Sequence, residues 1–403
     1  MSAISWPKKV LIFAPSVDGG IPHYTHHQAE ELVRRGIDVT MVCRPDHPWP
    51  QDKVSYRQIR RLSVAPTGRS VGHKVLRVLT HIWIHYQLFW WVLRLRPSAV
   101  LIEANTEFYA AAWAWPHLAA SALGLPYIMN LHDPVRGLWF GPKWFSRLSL
   151  WAAYRLLWGG LIHGQPPKGA YLPKSLAIEV VPHGLFDHLE AATPPYDLRR
   201  NLGITAESFV LLSFGHIADR KNQQLLVEAV ARVPKAVLVI AGPQHSTRQR
   251  PPQFYRDQAS ALGCADRVYV LDQFIPDEEV AAYFAAADAI ALTYDSGFVS
   301  QSGVLQIAAQ WEKPVLASSG PGALRETMGN YGIGIFVPPD SADAIEGGLR
   351  QLISAPGGRE AAFAAFRTSA SWGANIDGML HLLRRLKPGK QISTDEASGA
   401  GAA

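Results

Sequence analysis

A strand-then-helix rhythm runs along this chain, breaks once and starts again. In the first stretch the short apolar runs Val10–Ala14, Val39–Val42, Ala99–Ile102, Tyr127–Leu131 and Ile178–Val181 alternate with helical segments. The first of those segments runs from His23 to Arg35, with Pro22 fit for its first turn and Gly36 fit to end it. Runs this short and this apolar suit strands buried on both faces, which is the habit of parallel sheets. A break follows at Thr193-Pro194-Pro195-Tyr196, and the rhythm resumes at Phe209–Phe214. Further strands are expected at 236–241, 268–271, 289–292, 314–317 and 334–337, with helices at 222–232, 276–286, 302–312 and 340–354. The pattern predicts an α/β fold of two Rossmann-like, doubly wound domains facing a central cleft. Their bounds are read as 1–190 and 191–386, with a polar tail, 387–403, expected to be disordered.

Composition supports two full cores, since 48% of the 403 residues are hydrophobic and 18% are charged. The two cysteines, Cys43 and Cys264, give no disulfide framework and fit a reducing compartment. Met1 to Lys9 lack the apolar core of a signal peptide, so a cytoplasmic protein is expected. The net charge of +6 comes from scattered lysines and arginines, without a helix-turn-helix, zinc-finger or RNP signature, so a nucleic-acid partner is not expected. No cluster of Asp and His has metal-ligand spacing, so no metal and no cofactor are expected.

In open α/β sheets ligands bind outside the carboxyl ends of the strands, so residues just after strands are the candidates. Gly19 and Gly20 follow the first strand and open a helix, where bare backbone can approach a ligand. They do not form G-x-G-x-x-G, which disfavours a nicotinamide or flavin dinucleotide. Gly215-His216-Ile217-Ala218-Asp219-Arg220-Lys221 joins the first strand of the second domain to its helix, and Lys221 there can meet a diphosphate. Ser302-Gly303-Val304 follows another strand, with Ser302 fit to be an N-cap and Gly303 fit to bare the first helical amides. His132, followed by Asp133, stands at a strand end where an imidazole can donate or shuttle a proton.

Taken in order, these segments resemble family 4 glycosyltransferases, retaining enzymes of the GT-B architecture with nucleoside-diphosphate-sugar donors. The resemblance is strongest over 209–340, through Phe214-Gly215-His216-Ile217, Lys221-Asn222, Ala241-Gly242-Pro243, Ala285–Ala289, Lys313-Pro314-Val315 and Pro338-Pro339-Asp340. Over 9–184 it rests on Gly19-Gly20, Leu131-His132-Asp133 and Val181-Pro182-His183-Gly184. It implies that Gly19 and Gly20 lie under the donor diphosphate and sugar, that Lys221 holds the diphosphate and that His132 contacts the sugar. Two departures stand out. His216 takes the place of an arginine, and the family's paired glutamates fall on Val299 and Ile307. Members with a Ser-Gly-Val stretch match better, with Gln306 beside the ribose position and Asp295 the nearest acid. The implied activity is metal-independent sugar transfer to a hydroxyl of a glycan or lipid-linked acceptor, in cell-surface polysaccharide synthesis. The rival readings are a nucleotide-sugar epimerase or hydrolase of the same fold, and an inactive carbohydrate-binding protein.

Two aromatic and basic stretches bear on a membrane. His81–Arg96 carries Trp83, Trp90 and Trp91 with Arg94 and Arg96, and its tryptophans are expected to face the sheet. Lys143–Trp158 sets Lys143, Arg147 and Arg155 beside Trp144 and Trp151, which suits a helix lying in an anionic interface at the inner membrane face.

Overall fold

The computed structural model describes residues 6–68, 70–103, 107–132, 135, 141–167, 169–186, 189 and 193–386. The chain divides into two units, each built on a parallel sheet with helices on both faces.

Unit 1 has seven strands, β1 Lys9–Ala14, β2 Asp38–Cys43, β3 Arg57–Arg60, β4 Ala99–Ile102, β5 Tyr127–Asn130, β6 Gly159–Ile162 and β7 Ala177–Val180, in the order β3-β2-β1-β4-β5-β6-β7. Unit 2 has six, β8 Phe209–Phe214, β9 Ala236–Ala241, β10 Val268–Leu271, β11 Ala289–Thr293, β12 Val315–Ser318 and β13 Gly334–Phe336, in the order β10-β9-β8-β11-β12-β13. Every pairing is parallel, and the order reverses between β1 and β4 in one unit and between β8 and β11 in the other. Those reversals are where such sheets bind ligands.

Alternation along the strands feeds two cores per sheet. Leu11 and Phe13 enter one core of unit 1, while Val10, Ile12 and Ala14 enter the other. In unit 2, Val210 and Leu212 face one side, and Phe209 and Leu211 face the opposite one. Burying both faces is why the strands read as unbroken apolar runs.

Three expectations need correction. The first concerns the domain bounds. Unit 2 takes in His163–Gly169 and ends at Trp372, and Gly373 onward belongs to unit 1. The reason is packing, because Ile376, Met379, Leu380, Leu382 and Leu383 of the last helix, Trp372–Leu386, complete a core of unit 1. The expected tail 387–403 lies outside the described residues, as do Asp133 and part of the 186–206 boundary. Secondly, β3 and β6 are absent from the strands expected of the sequence. β3 is an edge strand with one buried residue, and β6 begins with two glycines that the packing demands. A Cβ on Gly159 would lie 2.8 Å from Leu382 Cδ2, and one on Gly160 would lie 2.3 Å from Leu131 Cδ1.

The third correction concerns the helix Val71–Leu95. Its buried face is Ile84, His85, Leu88 and Val92, while Trp83 and Trp90 are exposed rather than packed on the sheet. Trp144 and Trp151 are exposed on the helix Lys143–Arg155, as the sequence allowed, with Lys143, Arg147 and Arg155 also exposed. Tyr86 donates to the Ala112 carbonyl (2.7 Å), and the exposed Trp115 ring lies 6.3 Å from Trp151. The exposed aromatics of the two helices are thus joined across Ala110–Ala122. Among the described residues no helix is long and apolar enough to cross a membrane.

Candidate active site

In unit 2 the site grows from a close crossing of two strand ends. Gly215 (φ +83°) follows β8 directly and Gly242 (φ +139°) follows β9, both in the left-handed region that favours glycine. A Cβ on Gly242 would lie 2.5 Å from the Gly215 carbonyl oxygen, so any side chain there would push the two backbones apart. The Gly215 amide donates to Ala241 O (2.9 Å), and the ladder continues through Ile217 N to Pro243 O and His245 N to Ile217 O. The chain then folds back through one 3-10 turn, Asp219–Lys221, and Asn222 at φ +52° starts the helix Gln223–Ala231.

That return carries Lys221 over the end of β8. Its Nζ donates to the Phe214 carbonyl (2.7 Å), and the side chain is buried. A Cβ on Gly215 would stand 3.4 Å from this Nζ and 3.9 Å from Val304 Cγ2. Two segments that the sequence singled out separately, the Gly215–Lys221 loop and the Ser302-Gly303-Val304 stretch, therefore meet here. Among the described residues no carboxylate pairs with Lys221, whose pKa burial first, and Arg220 next, pull down to about 7. A buried ammonium held by a single carbonyl is costly, and it is ready for an anion.

β11 supplies the other half. Thr293 Oγ1 donates to the Lys221 carbonyl (2.9 Å), and the Asp295 amide donates to Arg220 O (2.8 Å). The helix Gly303–Gln310 then begins beside Lys221. Ser302 holds the N-cap position, but its hydroxyl bonds the buried Tyr294 hydroxyl (3.0 Å) instead of the helix. The amides of Gly303 and Val304 are left without partners among the described residues, since only Leu305 N reaches back to Ser302 O (3.1 Å). Bare amides at a helix start attract anions. Gln306, one turn in, is buried, and its Oε1 has no partner among the described residues.

The remaining candidates of this unit have plainer surroundings. Asp295 Oδ1 accepts from the Gly297 amide (3.0 Å) and so caps its own turn. His216 is exposed and meets His245 edge to face, with centroids 5.4 Å apart. Ile307, where a family glutamate would fall, belongs to the hydrophobic core.

Sequence reasoning missed the parts that brace this loop. Gly320 and Gly322 lie so close to it that a Cβ would fall 2.2 Å from Ser296 O and 2.0 Å from Val299 O. Asp340 accepts from Asn222 Nδ2 (2.9 Å) and from the Ser296 amide (3.0 Å), tying both strand-end loops together. The Ser-Gly-Pro-Gly run after β12 was the available signal for the glycines.

In unit 1, Gly19 takes φ +74° and precedes the helix Gly20–Arg34. Both glycines are exposed, and a Cβ on either would have no neighbour within 4 Å. His132 packs edge-on against Tyr24, with centroids 4.7 Å apart. Tyr24 is fixed in turn, its hydroxyl accepting from Asn375 Nδ2 (2.7 Å) and Gln28 Nε2 (3.2 Å), and Asn130 Nδ2 donates to Gln28 Oε1 (2.8 Å). This buried network seats the His132 ring on the helix that follows the glycine loop. No group of three or more His, Cys, Asp or Glu among the described residues could hold a metal.

Residues 197–366 match the family model described as "Glycosyl transferases group 1", and residues 19–160 match that described as "Glycosyl transferase 4-like domain". The chain is a glycosyltransferase of GT-B type. The transferase is 28% identical over 397 residues to the D-inositol 3-phosphate glycosyltransferase of Thermobifida fusca, covering 91% of this chain and 88% of that one. It is 31% identical over 191 residues to the protein of the same name from Mycobacteroides abscessus, of which the match covers 40%. Among solved structures it resembles sucrose-phosphate synthase from Thermosynechococcus elongatus, with TM-score 0.69, 18% identity and 94% and 99% of the two chains covered. Anabaena HepE in complex with UDP gives TM-score 0.70 and 18% identity, covering 94% of the transferase and 100% of HepE. At such identities the likeness shows the fold, and both strand-order reversals agree with it.

Proposed function

We propose that the transferase moves a sugar from a UDP-, GDP- or dTDP-sugar to a hydroxyl of a glycan or lipid-linked acceptor, with retention and without a metal. The observation that carries this reading is the buried, carboxylate-free ammonium of Lys221 beside the bare amides of Gly303 and Val304. As the glycosidic bond to the leaving diphosphate breaks, negative charge grows on that diphosphate. A preorganised ammonium and two amides stabilise it without reorganising at the moment of reaction. Gln306 would serve the ribose, and Ser302 holds the helix start in place through Tyr294. On unit 1, Gly19 and Gly20 would lie against the donor and His132 against its sugar. HepE, solved in complex with UDP, supports a nucleotide ligand, and the relatives named D-inositol 3-phosphate glycosyltransferase make a phosphorylated cyclitol one acceptor to assay.

The exposed Trp83, Trp90, Trp115, Trp144 and Trp151, with Lys143, Arg147 and Arg155 among them, fit peripheral contact with an anionic leaflet. A lipid-linked acceptor would be met there, as expected for an enzyme of surface-polysaccharide synthesis working from the cytoplasm.

Release of UDP or GDP from the matching donor, with and without acceptor, tests the function. Release that depends on acceptor supports transfer. Release that ignores it favours the epimerase or hydrolase reading, and none at all with any donor leaves a binding protein.

A further inference from the structure

Asn375 is a polar residue on an apolar face. Its neighbours Ile376, Met379, Leu380 and Leu383 on the helix Trp372–Leu386 enter a core of unit 1, and Asn375 is buried with them. Burying an amide costs free energy unless its hydrogen bonds to water are replaced. Three other buried polar side chains replace them: Tyr24 and Gln28 of the helix Gly20–Arg34 and Asn130 of β5, none more than 1% exposed. Asn375 Nδ2 donates to the Tyr24 hydroxyl (2.7 Å), and Gln28 Nε2 donates to Asn375 Oδ1 (2.8 Å). Gln28 Nε2 also reaches the Tyr24 hydroxyl (3.2 Å), so the three side chains close a triangle of bonds.

Two spacings bring this triangle to His132. Tyr24 and Gln28 are four apart on a helix, and Asn130 and His132 are two apart at the end of β5, so each pair shares a face. Gln28 Oε1 accepts from Asn130 Nδ2 (2.8 Å), and the Tyr24 ring meets the His132 ring at 89° with centroids 4.7 Å apart. His132 is therefore held twice, by the ring it packs on and by the strand that delivers it. Of the two donors on the Tyr24 hydroxyl, Asn375 makes the shorter bond, and without it only the 3.2 Å contact with Gln28 would fix the far end of that ring. Asn375 is itself anchored from both sides. Gly373 O accepts from Arg35 Nη2 (2.7 Å), and Asp377 pairs with the same guanidinium.

We propose that Asn375 is a positioning residue for His132: by holding the Tyr24 hydroxyl it fixes the plane of the imidazole that packs on the Tyr24 ring. This rests on the reading above that His132 meets the donor sugar. The last helix of the chain then does more than fill a core, because it sets the aim of a side chain more than two hundred residues earlier. A group beside the reacting sugar works only within a narrow range of positions, so a small turn of this ring costs turnover and leaves the diphosphate contacts of unit 2 untouched.

The test uses the whole chain carrying Asn375→Leu, and Tyr24→Phe, which cuts the same link from its other end and keeps the ring. The NMR signals of the His132 ring protons, assigned by their loss in His132→Ala, carry the ring-current displacement that Tyr24 imposes. That displacement should change in both variants. Turnover with the matching donor and acceptor should fall about 10- to 100-fold, with affinity for UDP or GDP unchanged. The double variant should lose no more than the worse single one, since both substitutions cut one link. Losses that multiply, or an unmoved His132 signal in the folded variants, would overturn the proposal. So would a moved signal with full turnover, or nucleotide affinity that falls along with turnover. A moved signal in a chain that turns over no donor keeps the link from Asn375 to His132 and removes the transferase reading instead.

Discussion

Lys221 gives the sharpest test of how charge is used in the donor site. In the free protein its ammonium is held only by the Phe214 carbonyl, and its pKa lies near 7 instead of 10.5. A bound diphosphate would restore the ordinary value or exceed it, a rise of about 3 units and so about 4 kcal/mol of coupling between proton and ligand. Below about pH 7 the ammonium is already formed and affinity should be flat. Above it each pH unit should weaken UDP or GDP binding about tenfold, because the proton must be taken up with the ligand. Calorimetry in two buffers of different ionisation enthalpy should show uptake of about one proton at about pH 8, where the nucleotide phosphates are already ionised. Lys221→Met should lose the pH slope, the proton uptake and roughly 2–4 kcal/mol of transition-state stabilisation. The stability of the two proteins provides a control. An unfolded lysine keeps its proton to about 10.5, so between about 7 and 10.5 the unfolded wild type binds more protons and stability rises with pH. Lys221→Met should lack that rise. Nucleotide affinity that stays level from about pH 7 to about pH 9 in the wild type, or a slope that survives in Lys221→Met, would refute the reasoning.

His132→Ala should abolish transfer and leave UDP or GDP affinity nearly intact, because the diphosphate groups proposed here belong to unit 2; joint loss of both would make the residue structural. Gly215→Ala places a methyl 3.4 Å from the Lys221 Nζ at φ +83°, so it should cost about 1–2 kcal/mol in stability and weaken nucleotide binding further, as a thermal-shift titration would report. Trp144→Ala with Trp151→Ala should reduce sedimentation with anionic liposomes at low salt. Binding that ignores lipid charge or salt would remove the interfacial reading.

The outline of both units could be read from the chain because their strands are buried on two faces. Phe209–Phe214, Ala236–Ala241 and Val268–Leu271 fall where their apolar runs end, and the helices at 276–286 and 340–354 begin one or two residues late. Candidate positions were legible for a related reason. A doubly wound sheet offers its ligand the loops after particular strands, and the glycines and lone lysine of those loops show in the sequence. Ser302 reads correctly as the N-cap position. Its hydroxyl is drawn away by Tyr294, a competition between residues eight positions apart that no local rule contains.

What the sequence determined alone was whatever depends on period and on local backbone preference: two parallel sheets, their crossover helices and the glycine-marked strand ends. What tertiary structure decided was which of those ends meet and what electrostatic state they reach. The pKa of Lys221 comes from burial beside Gly215 and Val304. The last helix joins unit 1 because its apolar face fills a core that begins at β1, and the paired glycines of β6 lie where that helix and Leu131 leave no room for a Cβ. Desolvation and close packing depend on atoms brought from distant parts of the chain, so they are properties of the folded surroundings and leave no periodic trace in the residues that experience them.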